Sequence, residues 1–153
     1  MLTGKWTYRS YRNTSTLVGD DPEAALALIV GEGVFDFEAG EGDHFSGGLG
    51  MGSGYALTLE GEILPGDRSG FSIVGLGIVG TPTEGWRYDY HGVAGYEWPG
   101  GVDQVSCLLG TVLRVNAHGP SSPAGYTASF IAVRHSDVSA PRSLRQSSLT
   151  KGL

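Results

Sequence analysis

Leu2-Thr3-Gly4-Lys5-Trp6-Thr7-Tyr8-Arg9-Ser10-Tyr11-Arg12 opens the chain with a strict two-residue alternation. Trp6, Tyr8 and Ser10 face one way, and Lys5, Thr7, Arg9 and Tyr11 the other, which is the period of a half-buried β-strand. Seven further strand-like segments follow, separated by glycine-rich turns. They are Val34 to Glu38 (with Ile29 and Val30 strand-like before it), His44 to Met51, Tyr55 to Leu64, Phe71 to Val79, Trp86 to Trp98, Gln104 to Asn116, and Ala124 to His135. The segment from Tyr55 alternates most cleanly: Tyr55, Leu57, Leu59 and Ile63 fall on one side and Thr58, Glu60 and Glu62 on the other. Eight short strands joined by tight turns predict an all-β fold, an eight-stranded antiparallel up-and-down β-barrel.

Glycine supports that expectation. It makes up 26 of 153 residues, against an ordinary share of about 7%, and has no Gly-X-Y period. Glycine inside strands marks bends, bulges and close backbone approach, which a tightly curled sheet needs. One non-strand element is expected: Asp21 as cap and Pro22 in the first turn predict a short helix near residues 22–28. The barrel is expected over residues 1–138, and residues 139–153 read as a basic tail or short helix.

Charge divides the chain in the same place. All 16 acidic residues lie at or before Asp137 with seven of the ten Lys/Arg, a net −9, whereas the last fifteen residues carry +3. So acidic a body argues against nucleic acid as a partner. With a strand starting almost at Met1, no signal peptide is expected, and no apolar run reaches membrane-spanning length. The expectation is therefore a cytoplasmic protein without a membrane partner. Cys107, the sole cysteine, sits in an apolar run and reads as a small buried hydrophobe. The segment from Phe71 is apolar on both faces, so its outer side needs a cover, and a second copy of the chain is the expected one.

The first strand carries a resemblance. Leu2-Thr3-Gly4-Lys5-Trp6 is similar to the first strand of the avidin family, and Gly-x-Trp resembles the opening of lipocalins, so the chain resembles the calycin superfamily. That resemblance implies a tryptophan closing one end of the barrel under a basic residue of the last strand, here Trp6 and Arg134. A guanidinium over an indole face contributes about 1–2 kcal/mol when partly desolvated. The residues that read biotin in avidins do not carry over. Tyr8 stands where avidins have an asparagine, and Phe45-Ser46-Gly47-Gly48-Leu49 lacks their tyrosine. The resemblance is one of architecture, and biotin binding is not expected.

Chemistry-bearing residues are densest from Trp86 to His91. On a strand, Trp86, Tyr88 and Tyr90 share one face and Arg87, Asp89 and His91 the other. With the aromatic face inward, the interior is an apolar pocket with phenolic hydroxyls, suited to a small hydrophobic or aromatic ligand. Tyr55, Trp86, Tyr88, Tyr90 and Tyr126 are then the candidate ligand-binding residues. With the ionic face inward, Asp89 orients His91 as a general base and Arg87 clamps an anion, giving an isomerase- or cyclase-like enzyme. Burying three aromatics is favourable and burying three ionic groups is costly, so the binding barrel leads. A structural homo-oligomer with a filled interior is the third reading. His44, His91, His118 and His135 lack metal-ligand spacing. No glycine loop precedes a helix in the manner of a phosphate site. No metal or cofactor is expected.

Overall fold

A computed structural model describes residues 2–14 and 18–136. The tail expected over residues 139–153 lies outside the described residues. Eight strands form a closed barrel in chain order: β1 Gly4–Arg12, β2 Ile29–Ala39, β3 His44–Gly50, β4 Ala56–Ile63, β5 Gly70–Gly77, β6 Arg87–Ala94, β7 Cys107–Arg114 and β8 Thr127–Arg134. Every neighbouring pair is antiparallel, and β8 returns to pair with β1, Trp6 lying opposite Arg134. Closure leaves no unpaired sheet edge. One short 3-10 helix, Pro22–Leu28, precedes β2; the Asp21 side chain accepts from the Glu23 amide at 3.0 Å, as its capping role requires.

The inward glycines make the curl possible. Gly61 faces Phe45 across β3–β4, Gly92 faces Phe71 across β5–β6, and Gly110 faces Phe130 across β7–β8. A Cβ on Gly92 would stand 2.6 Å from Cζ of Phe71, and one on Gly110 2.8 Å from Cε1 of Phe130. Each ring therefore lies over a bare backbone on the adjacent strand, covering it from inside the barrel. Gly4 does something different. Its φ of +81° turns the chain into β1, in a region that side-chain-bearing residues avoid. The space where its Cβ would be lies 3.6 Å from the Arg134 guanidinium.

Side-chain size decides where the interior is full. Leu2, Trp6, Phe37, Phe45, Phe71, Leu108 and Ala132 are buried at one end. There Arg134 lies over the Trp6 ring at 5.7 Å, and the indole Nε1 donates to the Thr3 carbonyl at 3.1 Å. Tyr8, Phe35, Tyr90 and Phe130 pack edge-on and tilted across the middle. Beyond them the inward positions shrink to Ser10, Gly31, Val112 and Ala128, and the interior opens.

Several strands are shorter than their hydrophobic patterns. β6 ends at Ala94 and β7 begins at Cys107, so Tyr96 and Trp98 stand in an exposed loop, edge to face at 5.0 Å. The Gln104 side chain bonds both the Trp98 amide and its carbonyl, replacing the ladder bonds that longer strands would have made. Cys107 is half-buried rather than buried, with Gly95 packed against its sulfur.

Candidate functional site

The open half of the barrel is a cavity of about 710 Å³, within the size range of small-molecule sites. Its floor is the Tyr8–Tyr90 pair, held on Phe35 and Phe130. The Tyr8 hydroxyl lies in hydrogen-bonding range of Ser10 and Tyr90. Burial pushes the Tyr8 phenol up to about 12, with those two hydrogen bonds pulling the other way. Burial raises Tyr90 as well. Both are neutral phenols at ordinary pH, able to give and take hydrogen bonds but unsuited to act as bases. Leu49, Leu57, Met51, Val112 and Ala128 form apolar walls.

The rim is aromatic and cationic. Tyr88 sits at the centre of a three-residue network. Its hydroxyl oxygen accepts from Arg114 Nε at 3.0 Å and bonds His118 Nε2 at 2.5 Å. Guanidinium can only donate, so the phenol accepts there, and its own proton suits Nε2 of a neutral His118 that carries its hydrogen on Nδ1. Burial, and next the positive charge of Arg114, lower the His118 pKa, in keeping with that neutral tautomer. His118 stacks on Trp86 at 3.9 Å and 15°. Arg114 also lies over the Tyr126 ring at 5.2 Å and donates from Nη1 to the Pro123 carbonyl at 3.3 Å.

Trp86 is positioned by a residue in the β5–β6 loop. Thr83 is fully buried; its hydroxyl donates to the Ala56 carbonyl at 2.7 Å and accepts from the Ile78 amide at 3.1 Å. The Thr83 carbonyl accepts from the Trp86 amide at 2.9 Å. This hydroxyl joins the start of β4 to the β5–β6 loop and so sets where the Trp86 ring stands.

Trp86, Tyr88, Tyr90 and Tyr126 all line the cavity. Tyr55 does not. It precedes β4, after a turn whose Gly52, Ser53 and Gly54 all have positive φ, and its half-exposed ring backs Trp86 from outside at 5.9 Å. Arg87, Asp89 and His91 lie on the outer face. Arg87 holds both Asp89 oxygens at 3.0 and 3.1 Å, and His91 is exposed between Ser72 and Thr111 of the flanking strands. Asp89 is thus committed to Arg87 and does not orient His91, and the ionic row faces away from the cavity. Among the described residues no three His, Cys, Asp or Glu side chains gather as a metal site.

Sequence reasoning did not single out Arg12, Thr83, Arg114 or His118. The two arginines were within reach: Arg12 continues the inward parity of Trp6, Tyr8 and Ser10, and Arg114 that of Leu108, Gly110 and Val112. His118 belongs to the β7–β8 loop, where no periodicity applies. No family model, curated protein or solved structure matches the chain.

Proposed function

We propose that this protein is a small-molecule-binding barrel of calycin type that takes an apolar or aromatic ligand into its open end. The observation that carries the reading is the division of the interior. Aromatic side chains fill one half, and the other half is an aromatic-floored cavity of about 710 Å³. The division supports binding over a wholly filled structural barrel. The outward placement of His91 and Asp89 weighs against an isomerase that would use them. Contact with the Trp86 and Tyr126 rings and hydrogen bonding at the Tyr8 and Tyr90 hydroxyls would hold the ligand.

Oligomerisation and location belong to the same reading. Leu76, Val93, Leu109 and Leu113 on the outer faces of β5, β6 and β7 are between 37% and 46% exposed. That apolar surface suits a second copy of the chain. A lone thiol fits a reducing, cytoplasmic setting, and among the described residues no helix is long and apolar enough to cross a membrane. Native mass spectrometry of protein purified from its own host tests ligand binding and oligomerisation together. A co-purifying small molecule and a subunit count above one are expected; a bare monomer that takes up no hydrophobic compound from a metabolite extract refutes the proposal.

A further inference from the structure

We infer that the ligand is an amphipathic anion, an apolar or aromatic body bearing one carboxylate-like group that docks between Arg12 and Arg114. The inference rests on the binding reading above and adds the charge and orientation of the ligand to it.

The protein carries a net −6, yet among the described residues no Asp or Glu lines the cavity, while two arginines do. Among the described residues the ion pairs are Arg9–Glu32, Arg68–Asp43 and Arg87–Asp89, and neither cavity arginine takes part in one. Arg114 is held in place without being neutralised. Nε donates to the Tyr88 hydroxyl and Nη1 to the Pro123 carbonyl, and its flat face lies over Tyr88 and Tyr126. These contacts fix the plane of the guanidinium and leave its charge uncompensated. Nη2 has no hydrogen-bond acceptor among the described residues. A planar cation so oriented is a preformed partner for a carboxylate, to which Nη2 offers charge-assisted hydrogen bonds.

The neighbouring groups favour an anion too. Ser121 and Ser122 add hydroxyls to the same rim, and His118, bonded to Tyr88, brings no negative charge. Arg12 adds a second positive charge to the lining that holds Arg114, and an anionic ligand offsets both. The two arginines at the mouth attract an anion against the net negative charge of the chain, which favours its approach there. Polarity then sets the orientation: apolar body down on Tyr8 and Tyr90, acidic group up at Arg12 and Arg114.

A matched pair of fluorescent dyes tests this: anilinonaphthalene sulfonate and N-phenylnaphthylamine, which lacks only the sulfonate. Each is titrated into the folded full-length protein and its variants. The sulfonate dye should bind about tenfold tighter or better, the scale of one charge-assisted hydrogen bond, and added salt should weaken it alone. Arg114→Gln and Arg12→Gln should each erode the sulfonate preference and leave the uncharged dye unaffected, while Arg114→Lys retains part of it. Arg12 is exposed, so its variant reports even where Arg114→Gln perturbs folding. Equal affinity for the two dyes, or a preference that both arginine variants keep, overturns the anion inference and leaves the cavity reading standing. Failure of the folded protein to bind either dye overturns the cavity reading itself.

Discussion

Replacing Gly61 with alanine puts a methyl group where the Phe45 ring now lies. The new Cβ would fall well inside contact distance of Cζ and Cε2 and 3.0 Å from Cε1, against ordinary contacts of 3.4–4 Å. The ring must move by about an ångström to restore ordinary contact. Phe45 is 1% exposed and packs edge-on against Phe37 at 5.3 Å, so movement passes into the closed-end core. Overpacking of this kind costs about 1–3 kcal/mol, which for a chain of this length lowers Tm by roughly 2–12 °C. Gly50→Ala on the same hairpin is the control. Nothing lies within 4 Å of its Cβ position and its φ is not positive, so loss of unfolded-chain entropy should stabilise by about 0.4–1 kcal/mol. The assay is urea unfolding of both variants, with Phe45→Leu/Gly61→Ala as a rescue that recovers part of the loss. Gly61→Ala at wild-type stability would refute the idea that inward glycines exist to seat the rings.

Three further outcomes are expected. Thr83→Val strands the Ala56 carbonyl and the Ile78 amide, costing about 1–3 kcal/mol in denaturant unfolding; it should also shift Trp86 emission, because the β5–β6 loop loses its tie to β4. Alkaline pH should destabilise the fold. Burial raises the Tyr8 phenol to about 12 in the folded state, from an ordinary 10.0, so its contribution is complete below pH 10.0 and is lost as pH rises through about 12. That is roughly 2–3 kcal/mol over the window, seen as a falling unfolding midpoint whose slope Tyr8→Phe reduces. Arg134→Met should cost about 0.5–2 kcal/mol through loss of the contact over Trp6, read by thermal unfolding, and should leave dye binding at the far end unchanged.

Much of the architecture was legible because closure depends on parity and turns, both of which are local. Trp6, Tyr8 and Ser10 share a face in the sequence and all point inward, and Leu57 and Leu59 do the same in β4. Trp6 and Arg134 stand opposite each other, as the resemblance implied. Strand ends were less legible because non-local contacts set them. The Trp86–Trp98 pattern breaks after Ala94: Gly95 packs on the Cys107 sulfur, and the Gln104 side chain takes up the Trp98 backbone. Tyr55 keeps the alternation of β4 but lies beyond the strand, after three positive-φ residues, so parity no longer directs its ring. The site was half visible. Tyr88, Tyr90 and Tyr126 follow from strand pattern and composition, whereas Thr83 and His118 work from loops by contacts to distant residues. Nothing in their neighbours along the chain marks them.

The central claim is that the open half of the barrel receives an apolar molecule. Ala128 is the place to test it, because its methyl group is buried and faces the cavity between Val112 on β7 and Arg12 on β1. Phenylalanine there fills the space a ligand would occupy. N-phenylnaphthylamine should bind the wild-type protein and lose about tenfold or more in affinity to Ala128→Phe, with the circular dichroism of the barrel retained. Undiminished binding to a folded Ala128→Phe would place the dye elsewhere on the molecule and contradict the account.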